Sequence, residues 1–258
     1  MSISLFSVVI ISNNEEKRIA ATLEAALKVS DDVVVVDSYS TDQTVAIAHR
    51  MGVRVFQKEW KGYSDQKNYG NQQAKYDWIL SVDADEVIGA ELAESLKNIS
   101  LSSGPDAYQI PFKTNYCGKW MNYGVFRNEK HVRLFNKKKI QWNTSGVHEG
   151  LTLDEMQIGK IKGHILHFSV DHLEQHLQKI NHYTTLHAEN MFAANKKASL
   201  FKIIFSPSFQ FIREYILQLG CLDGFYGLVS AQQRANYFFL KYAKLRILTD
   251  KASAKKSV

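Results

Sequence analysis

Cysteine is nearly missing from this chain. Cys117 and Cys221 are the only two in 258 residues, and their separation matches no metal-ligand spacing. That pattern argues against a disulfide scaffold and for a reducing cytosol. No uninterrupted apolar stretch is long enough to span a bilayer. The apolar run Phe6–Ile11 is too short for a signal peptide, and no basic segment precedes it. No Gly-x-Gly-x-x-Gly follows the first apolar run, which disfavours a dinucleotide-dependent oxidoreductase. Internal repeats are absent, and the Lys/Ala/Ser tail is the one low-complexity segment. What remains is ordinary for a globular protein with a real core, at 45% hydrophobic residues. The length suits one large domain, or one domain with an appended helical part. The net charge is +6, and the tail holds most of it: from Lys241 onward there are six Lys or Arg and one Asp. Such a tail suits nucleic acid or an anionic membrane surface.

Residues 6–12 read as a buried strand, followed by a helix opening at Asn13–Glu16 with Ile19, Leu23, Ala26 and Leu27 on its apolar face. Asp32–Asp37 holds four consecutive valines, the signature of a central strand covered on both faces. Ser40-Thr41-Asp42-Gln43 has the spacing of a capping box, so a second helix is predicted there. Val53–Phe56 is a third strand, and Ser64 is placed to cap a helix through about Lys75. Repeated strand–helix alternation implies a parallel sheet wound with right-handed crossovers. Further strands are predicted at 107–112, 131–135 and 161–168, with a loop rich in Tyr, Trp and Asn between the first two. From Asp171 onward the pattern is helical.

The most telling stretch is Asp77-Trp78-Ile79-Leu80-Ser81-Val82-Asp83-Ala84-Asp85-Glu86, a buried-strand run that ends in three acids within four residues. Asp83 and Asp85 are two apart, so in extended chain they project from one side. Crowded carboxylates repel, and a hard divalent cation such as Mg²⁺ or Mn²⁺, shared with a phosphate-bearing ligand, offsets that. The plainer alternative is an acidic first turn of a helix. Ligands of such sheets sit beyond the carboxyl ends of the strands. That rule puts Ser12–Glu15, Asp37–Asp42 and Asp83–Glu86 on one rim.

Taken together, Ser12-Asn13-Asn14-Glu15-Glu16, Val36–Thr44, Lys67-Asn68 and Asp83-Ala84-Asp85-Glu86 resemble, in order and spacing, the inverting family 2 glycosyltransferases. The nearest subgroup is that of the lipopolysaccharide core β-1,4-glucosyltransferases. The resemblance continues through Val147-His148-Glu149-Gly150 and His167, and more loosely through Leu222–Phe225 and Phe239–Lys244, so it spans most of the chain. It implies an α/β fold of GT-A type: a nucleotide-sugar-binding, Rossmann-like, mostly parallel sheet with helices on both faces. A catalytic domain would cover residues 1–170, with a nucleotide half (1–104) and an acceptor half (105–170). A helical, basic C-terminal region would cover 171–258.

The resemblance also implies roles. Ser12, Asn14, Glu15, Asp37 and Ser40 would contact the nucleoside, and Lys67 the uracil or diphosphate side. Asp83 would sit nearer the ribose and Asp85 would be the direct metal ligand, with His167 completing the shell. Glu149 is the preferred general base, and adjacent His148 is the alternative. The partners implied are a UDP-sugar donor and a glycan or glycolipid acceptor, with no nucleic acid. The compartment implied is the cytoplasmic face of the inner membrane, touched peripherally.

Several residues have other readings. Asp42 serves equally as a helix N-terminal charge, and His167 as a hydrogen-bonded core histidine. His172 and His176 have the spacing of a zinc pair, but the intervening acid is misplaced for the metalloprotease motif. Tyr116, Trp120, Tyr123 and Phe126 either stack on sugars or pack beneath their loop. The stripes Ile212/Tyr215/Ile216/Leu219 and Phe238/Tyr242/Leu245 suit an interfacial membrane anchor or a helical core. Two other classes compete. A nucleotidyltransferase on a similar sheet would usually carry a Gly-rich phosphate loop, where this chain has Ser-Asn-Asn-Glu-Glu. A non-catalytic glycan- or membrane-binding module would not need the acids.

Overall fold

A computed structural model describes residues 5–102, 104–143 and 150–255. In chain order it contains β1 (Ser7–Ser12), α1 (Ile19–Leu27), β2 (Asp32–Asp37), α2 (Thr44–Arg50), β3 (Arg54–Gln57), α3 (Tyr63–Gln73) and β4 (Trp78–Asp83). Next come β5 (Glu86–Ile88), α4 (Ala90–Lys97), β6 (Ala107–Tyr116), β7 (Lys119–Trp120), β8 (Lys130–Asn136), β9 (Ile158–Lys160) and β10 (Ile165–Val170). The remainder is α5 (Leu173–Ala193), α6 (Leu200–Ile212) and α7 (Phe225–Lys255), with short irregular turns between the last two. The chain divides into two compact units, residues 1–113 with 128–168, and residues 114–127 with 169–258.

The first unit is built on the sheet, whose strand order is β3-β2-β1-β4-β8-β6-β10-β5. β3, β2, β1 and β4 run parallel in register, Ser7 opposite both Asp32 and Ile79. Beyond β4 the pairing turns antiparallel, through β8 onto β4 and β6 onto β8. Strand alternation divides the apolar residues between two layers. Val8, Ile10, Val33, Val35, Leu80 and Val82 face one core, completed by Ile19, Leu23, Leu92 and Leu96 of α1 and α4. Val9, Ile11, Val34, Val36 and Ile79 face the other, with Ala74, Phe135, Ile140 and Trp142. α3 lies on this second face at Gly70, where an added Cβ would stand 2.4 Å from Val9 Cγ1 and 3.0 Å from Val36 Cγ2. Only a residue without a side chain permits that approach.

Two local expectations are revised. The first helix begins at Ile19, because Asn14 turns the chain at φ 55° and Asn13–Arg18 forms a loop. The second helix begins at Thr44, and Gln43 at its cap makes no side-chain capping bond. Asp42 Oδ1 accepts from Thr44 N at 2.9 Å at the helix start, while Ser40 Oγ, Asp42 Oδ2 and the Thr41 and Gln43 amides bond the first loop.

The second unit is mainly helical. Tyr116, Met121 and Val170 form a small buried cluster with Phe126 and Tyr226 packed on it. Tyr116 and Phe126 are therefore packing residues. The Tyr116 hydroxyl and His176 Nδ1 are hydrogen-bonded at 2.7 Å, and burial pushes that imidazole's pKa down. Leu245 is buried beside Ala188 and Ala198, with Tyr242 against them, so that stripe of α7 belongs to the helical core. No helix among the described residues is long and apolar enough to cross a membrane.

Candidate active site

The rim of the parallel half collects the predicted residues that are described, all within the first unit. Two loops, one after β1 and one after β2, are laced together there. Asp37 ends β2 completely buried, and its carboxylate accepts from Ser12 Oγ at 3.1 Å, Ser40 N at 2.8 Å and Ser40 Oγ at 2.5 Å. Ser40 Oγ also accepts from Asn14 N at 2.8 Å, and Asn14 Oδ1 accepts from Thr41 N at 2.8 Å. Glu15 N donates to Thr44 Oγ1 at 2.8 Å, and Glu16 N to Asp42 Oδ2 at 3.1 Å. Burial works against the Asp42 charge, but the Thr44 and Glu16 donors outweigh it and hold the carboxyl below its usual range. Each loop thus satisfies the other's backbone donors, which gives short polar segments a single shape. Asn14, at φ 55°, and Tyr39, at φ 56°, both adopt the left-handed conformation, and Tyr39 stands exposed at the loop crest. A bulky residue in that conformation is a mark of functional loops.

The acidic end of β4 is held differently. Asp83 lies 3.1 Å from Lys67 Nζ and 3.3 Å from Arg133 Nη2. Arg133 also pairs closely with Glu86, whose other oxygen accepts from Asp83 N at 2.9 Å. Burial opposes the charge on Asp83, but Lys67 and Arg133 overcome it and hold its pKa well below the carboxylate range. Glu86 is pushed up to about 7 by burial, with Asp83 and Asp85 adding to the rise while Arg133 opposes it. Lys67 is buried and faces the Trp142 ring at 4.6 Å. It is therefore a core cation and not a solvated helix residue.

Asp85 follows the clamp and faces His167, with Nε2 at 3.6 Å from Oδ2. The register of β5 and β10 creates this meeting: His167 pairs with Glu86, and Phe168 N donates to Asp85 O at 2.9 Å. Burial lowers the His167 pKa, yet Asp85 and Glu86 more than reverse that and leave it raised. The separation is too long for a direct hydrogen bond, and it suits two ligands of one cation. Among the described residues no group of three or more His, Cys, Asp or Glu side chains could hold a metal unaided. An Asp–His pair fits a cation whose remaining ligands come from water and substrate phosphate. At the His172/His176 pair, His176 Nδ1 is instead taken up by the Tyr116 hydroxyl at 2.7 Å.

Glu149 and His148 lie outside the described residues. The chain on either side of them is paired, Asn143 N donating to Gly150 O at 2.7 Å and Trp142 bridging Leu151. Sequence reasoning missed Arg133 and gave Glu86 no role of its own. The available signal was a charge at a core position, Val132-Arg133-Leu134-Phe135, since Arg is almost never fully buried unless paired.

A family model described as glycosyl transferase family 2 matches residues 7–153. An uncharacterized glycosyltransferase of Rickettsia typhi is 35% identical over 257 residues, covering 95% of this chain and 88% of the relative. A lipopolysaccharide core biosynthesis glycosyltransferase of Rhizobium meliloti is 29% identical, covering 93% and 91%. Among solved structures, S. aureus TarS 1-349 with UDP-GlcNAc has a TM-score of 0.52 at 17% identity, covering 93% of this chain and 91% of that one. The mannosyltransferase PcManGT of Pyrobaculum calidifontis with GDP-Man and Mn²⁺ has 0.50 at 14%, covering 96% and 79%. Those two likenesses are of fold, the GT-A type. With more than half its length matched by the family model and a relative of 35% identity along nearly all of it, the chain belongs to glycosyl transferase family 2.

Proposed function

We propose that this glycosyltransferase moves a sugar, a hexose such as glucose, from a UDP-sugar to a hydroxyl of a lipopolysaccharide core or related cell-surface glycan, with inversion. The observation that carries the reading is the pairing of a cation-clamped Asp83 with an adjacent Asp85–His167 pair, at the rim of the laced loops. The acceptor assignment draws support from the similarity to the Rhizobium meliloti core enzyme. UDP-GlcNAc and GDP-Man in the two structural neighbours support a nucleotide-sugar donor of some kind.

In this reading the laced loops, through Ser12, Asn14, Glu15, Asp37 and Ser40, form the nucleoside side of the site. Because Ser12 and Ser40 already occupy the Asp37 carboxylate, Asp37 acts mainly by fixing loop shape. Lys67 and Arg133 hold Asp83 ionised and oriented toward the ribose. Asp85 and His167 would hold Mg²⁺ or Mn²⁺, which when bound offsets the charge that develops on the departing diphosphate. A transition state of oxocarbenium character needs no strong protein nucleophile. It needs a base on the face opposite the diphosphate, and Glu149 takes the acceptor hydroxyl's proton there, with His148 as the alternative. One in-line displacement gives a β-linkage from an α-linked donor. An acceptor of this kind is built on lipid, so the protein would work against the cytoplasmic face of the inner membrane.

Calorimetric titration of UDP and GDP, with and without Mn²⁺, tests the donor site on the wild type and on Asp85→Asn. Expected are UDP binding that strengthens at least tenfold with Mn²⁺ and loss of that gain in Asp85→Asn. UDP binding indifferent to both metal and Asp85 would refute the metal role. Binding of GDP alone would overturn the UDP assignment.

A further inference from the structure

The second unit carries an apolar surface that its own core does not use. One side of α6 turns inward to α7: Ile203 and Pro207 line a groove with Gln232 and Ala235, and buried Gln210 accepts from Arg234 Nε at 3.4 Å. One turn on, Glu214 is buried and accepts from Ser230 Oγ at 2.6 Å. The opposite side presents Phe201, Phe205, Phe209, Ile212 and Ile216, spaced about one helical turn apart and all exposed, with exposed Leu217 following. Phe201 and Leu217 are each 67% exposed, and the Phe201 and Phe205 rings stack on each other at 4.4 Å. Apolar patches on soluble monomers rarely exceed a few hundred Å². A run of this length marks a surface that something covers.

The charges say what covers it. Between Lys196 and Leu228 every exposed charged residue is positive: Lys196, Lys197, Lys202 and Arg213. The two acids of this stretch, Glu214 and Asp223, are buried and committed to internal donors, Ser230 Oγ for the first and the backbone of Asn122 and Tyr123 for the second. A second copy docking through the same face would bring these cations together with no exposed acid to meet them, because a two-fold interface is self-complementary. An anionic lipid surface supplies both what the apolar face needs and what the cations need. Since no described helix can cross a membrane, the contact is interfacial.

We propose that the outer face of α6 and the turn following it seat in the interfacial layer of an anionic bilayer, with Lys196, Lys197, Lys202 and Arg213 against the headgroups. This gives the membrane side of the functional reading a specific surface, and it stands on observations separate from the donor site. The stripe of α7 that sequence periodicity offered for the same purpose is occupied in the helical core.

The test is co-sedimentation of the full chain with phosphatidylcholine vesicles, with and without phosphatidylglycerol, at low and high salt. Two variants accompany it, Phe201→Ser/Phe205→Ser/Phe209→Ser and Lys196→Gln/Lys197→Gln/Lys202→Gln. Each cation near an anionic surface is worth about a fivefold gain in binding, so the lysine variant should bind about 100-fold more weakly. The phenylalanine variant should lose vesicle binding at every lipid composition. All the substituted side chains are exposed, so circular dichroism and UDP titration should match the wild type. That readout separates a failed donor site from a failed membrane surface. Wild type remaining in the supernatant with phosphatidylglycerol vesicles would overturn the proposal, as would variants that pellet like wild type. A dimer abolished by the phenylalanine substitutions, with no vesicle binding by the wild type, would assign the face to a second copy instead.

Discussion

Arg133→Met asks whether the acidic end of β4 is held by its buried cation. Methionine preserves much of the unbranched stem, though not the guanidinium that sits over Phe112 at 5.2 Å. What it removes is the charge between Glu86 and Asp83, both of which pair with Arg133 Nη2. Glu86 is 2% exposed and Arg133 7%, so water cannot replace the lost partner. Stripping one partner from a buried ion pair costs about 3–5 kcal/mol, a large share of the roughly 5–15 kcal/mol that holds a domain folded. At about 2–4 °C per kcal/mol for a chain of this size, the melting temperature should fall by roughly 6–20 °C. Acid should narrow the gap. Arg133 opposes the rise of the Glu86 pKa, so in the variant that pKa lies higher still, and lowering the pH protonates Glu86 and relieves its unpaired charge. The wild type, whose Asp83 pKa is depressed, gives up stability as the pH falls toward the carboxylate range. Thermal melts of wild type, Arg133→Met, Glu86→Gln and the double variant, from pH 3 to 8, measure both effects. The double variant should recover part of the loss, giving a coupling of at least about 1 kcal/mol. A single-variant loss below about 1 kcal/mol, unchanged with pH, would refute the clamp.

Gly70→Ala should cost about 1–3 kcal/mol in urea unfolding, because the new methyl would stand 2.4 Å from Val9 Cγ1 in a packed layer; a neutral outcome would mean that α3 does not rest on β1 as described. Glu214→Gln should stabilise the protein at pH 8 and make little difference near pH 4. Burial raises the Glu214 pKa above its unfolded value, so the folded state is favoured while the carboxyl is protonated and loses that advantage as pH rises through the folded pKa. Melting temperatures across that range check the sign, and a destabilised variant at pH 8 would reverse it.

The parallel half of the fold was legible because its signal is local. Four consecutive valines in β2, and apolar runs of strand length in β1 and β4, leave few alternatives once both faces of a sheet must be buried. The rim followed from topology, and the motif order followed from resemblance. The loop chemistry was less legible. Ser40–Gln43 has capping-box spacing, but Ser40 Oγ serves Asp37 and the Asn14 amide, and Asp42 divides its carboxylate between the Thr44 amide at the helix start and the Glu16 amide, about 26 residues earlier for Asn14 and Glu16. A local pattern cannot say whose donors it will satisfy. The same limit governed Phe238, Tyr242 and Leu245: a helical stripe reads alike whether a core or a lipid surface covers it, and only the packing of Leu245 beside Ala188 decided for the core.

Arg133 shows why the acidic motif alone was ambiguous between a metal site and a helix start. Three acids in four residues repel one another, and the sequence around them offers no nearby base. The fold supplies two cations from a distance, Lys67 from α3 and Arg133 from β8, and both converge on Asp83. That convergence separates the acids by environment. Asp83 is neutralised by protein cations, and Glu86 is tied to Arg133 and to the Asp83 amide. Asp85 stands opposite His167 at 3.6 Å. A divalent ion bound among three competing carboxylates would have no fixed geometry. With two of them committed, Asp85 and His167 would be the protein's ligands in the proposed metal site, and the substrate's phosphates would supply others.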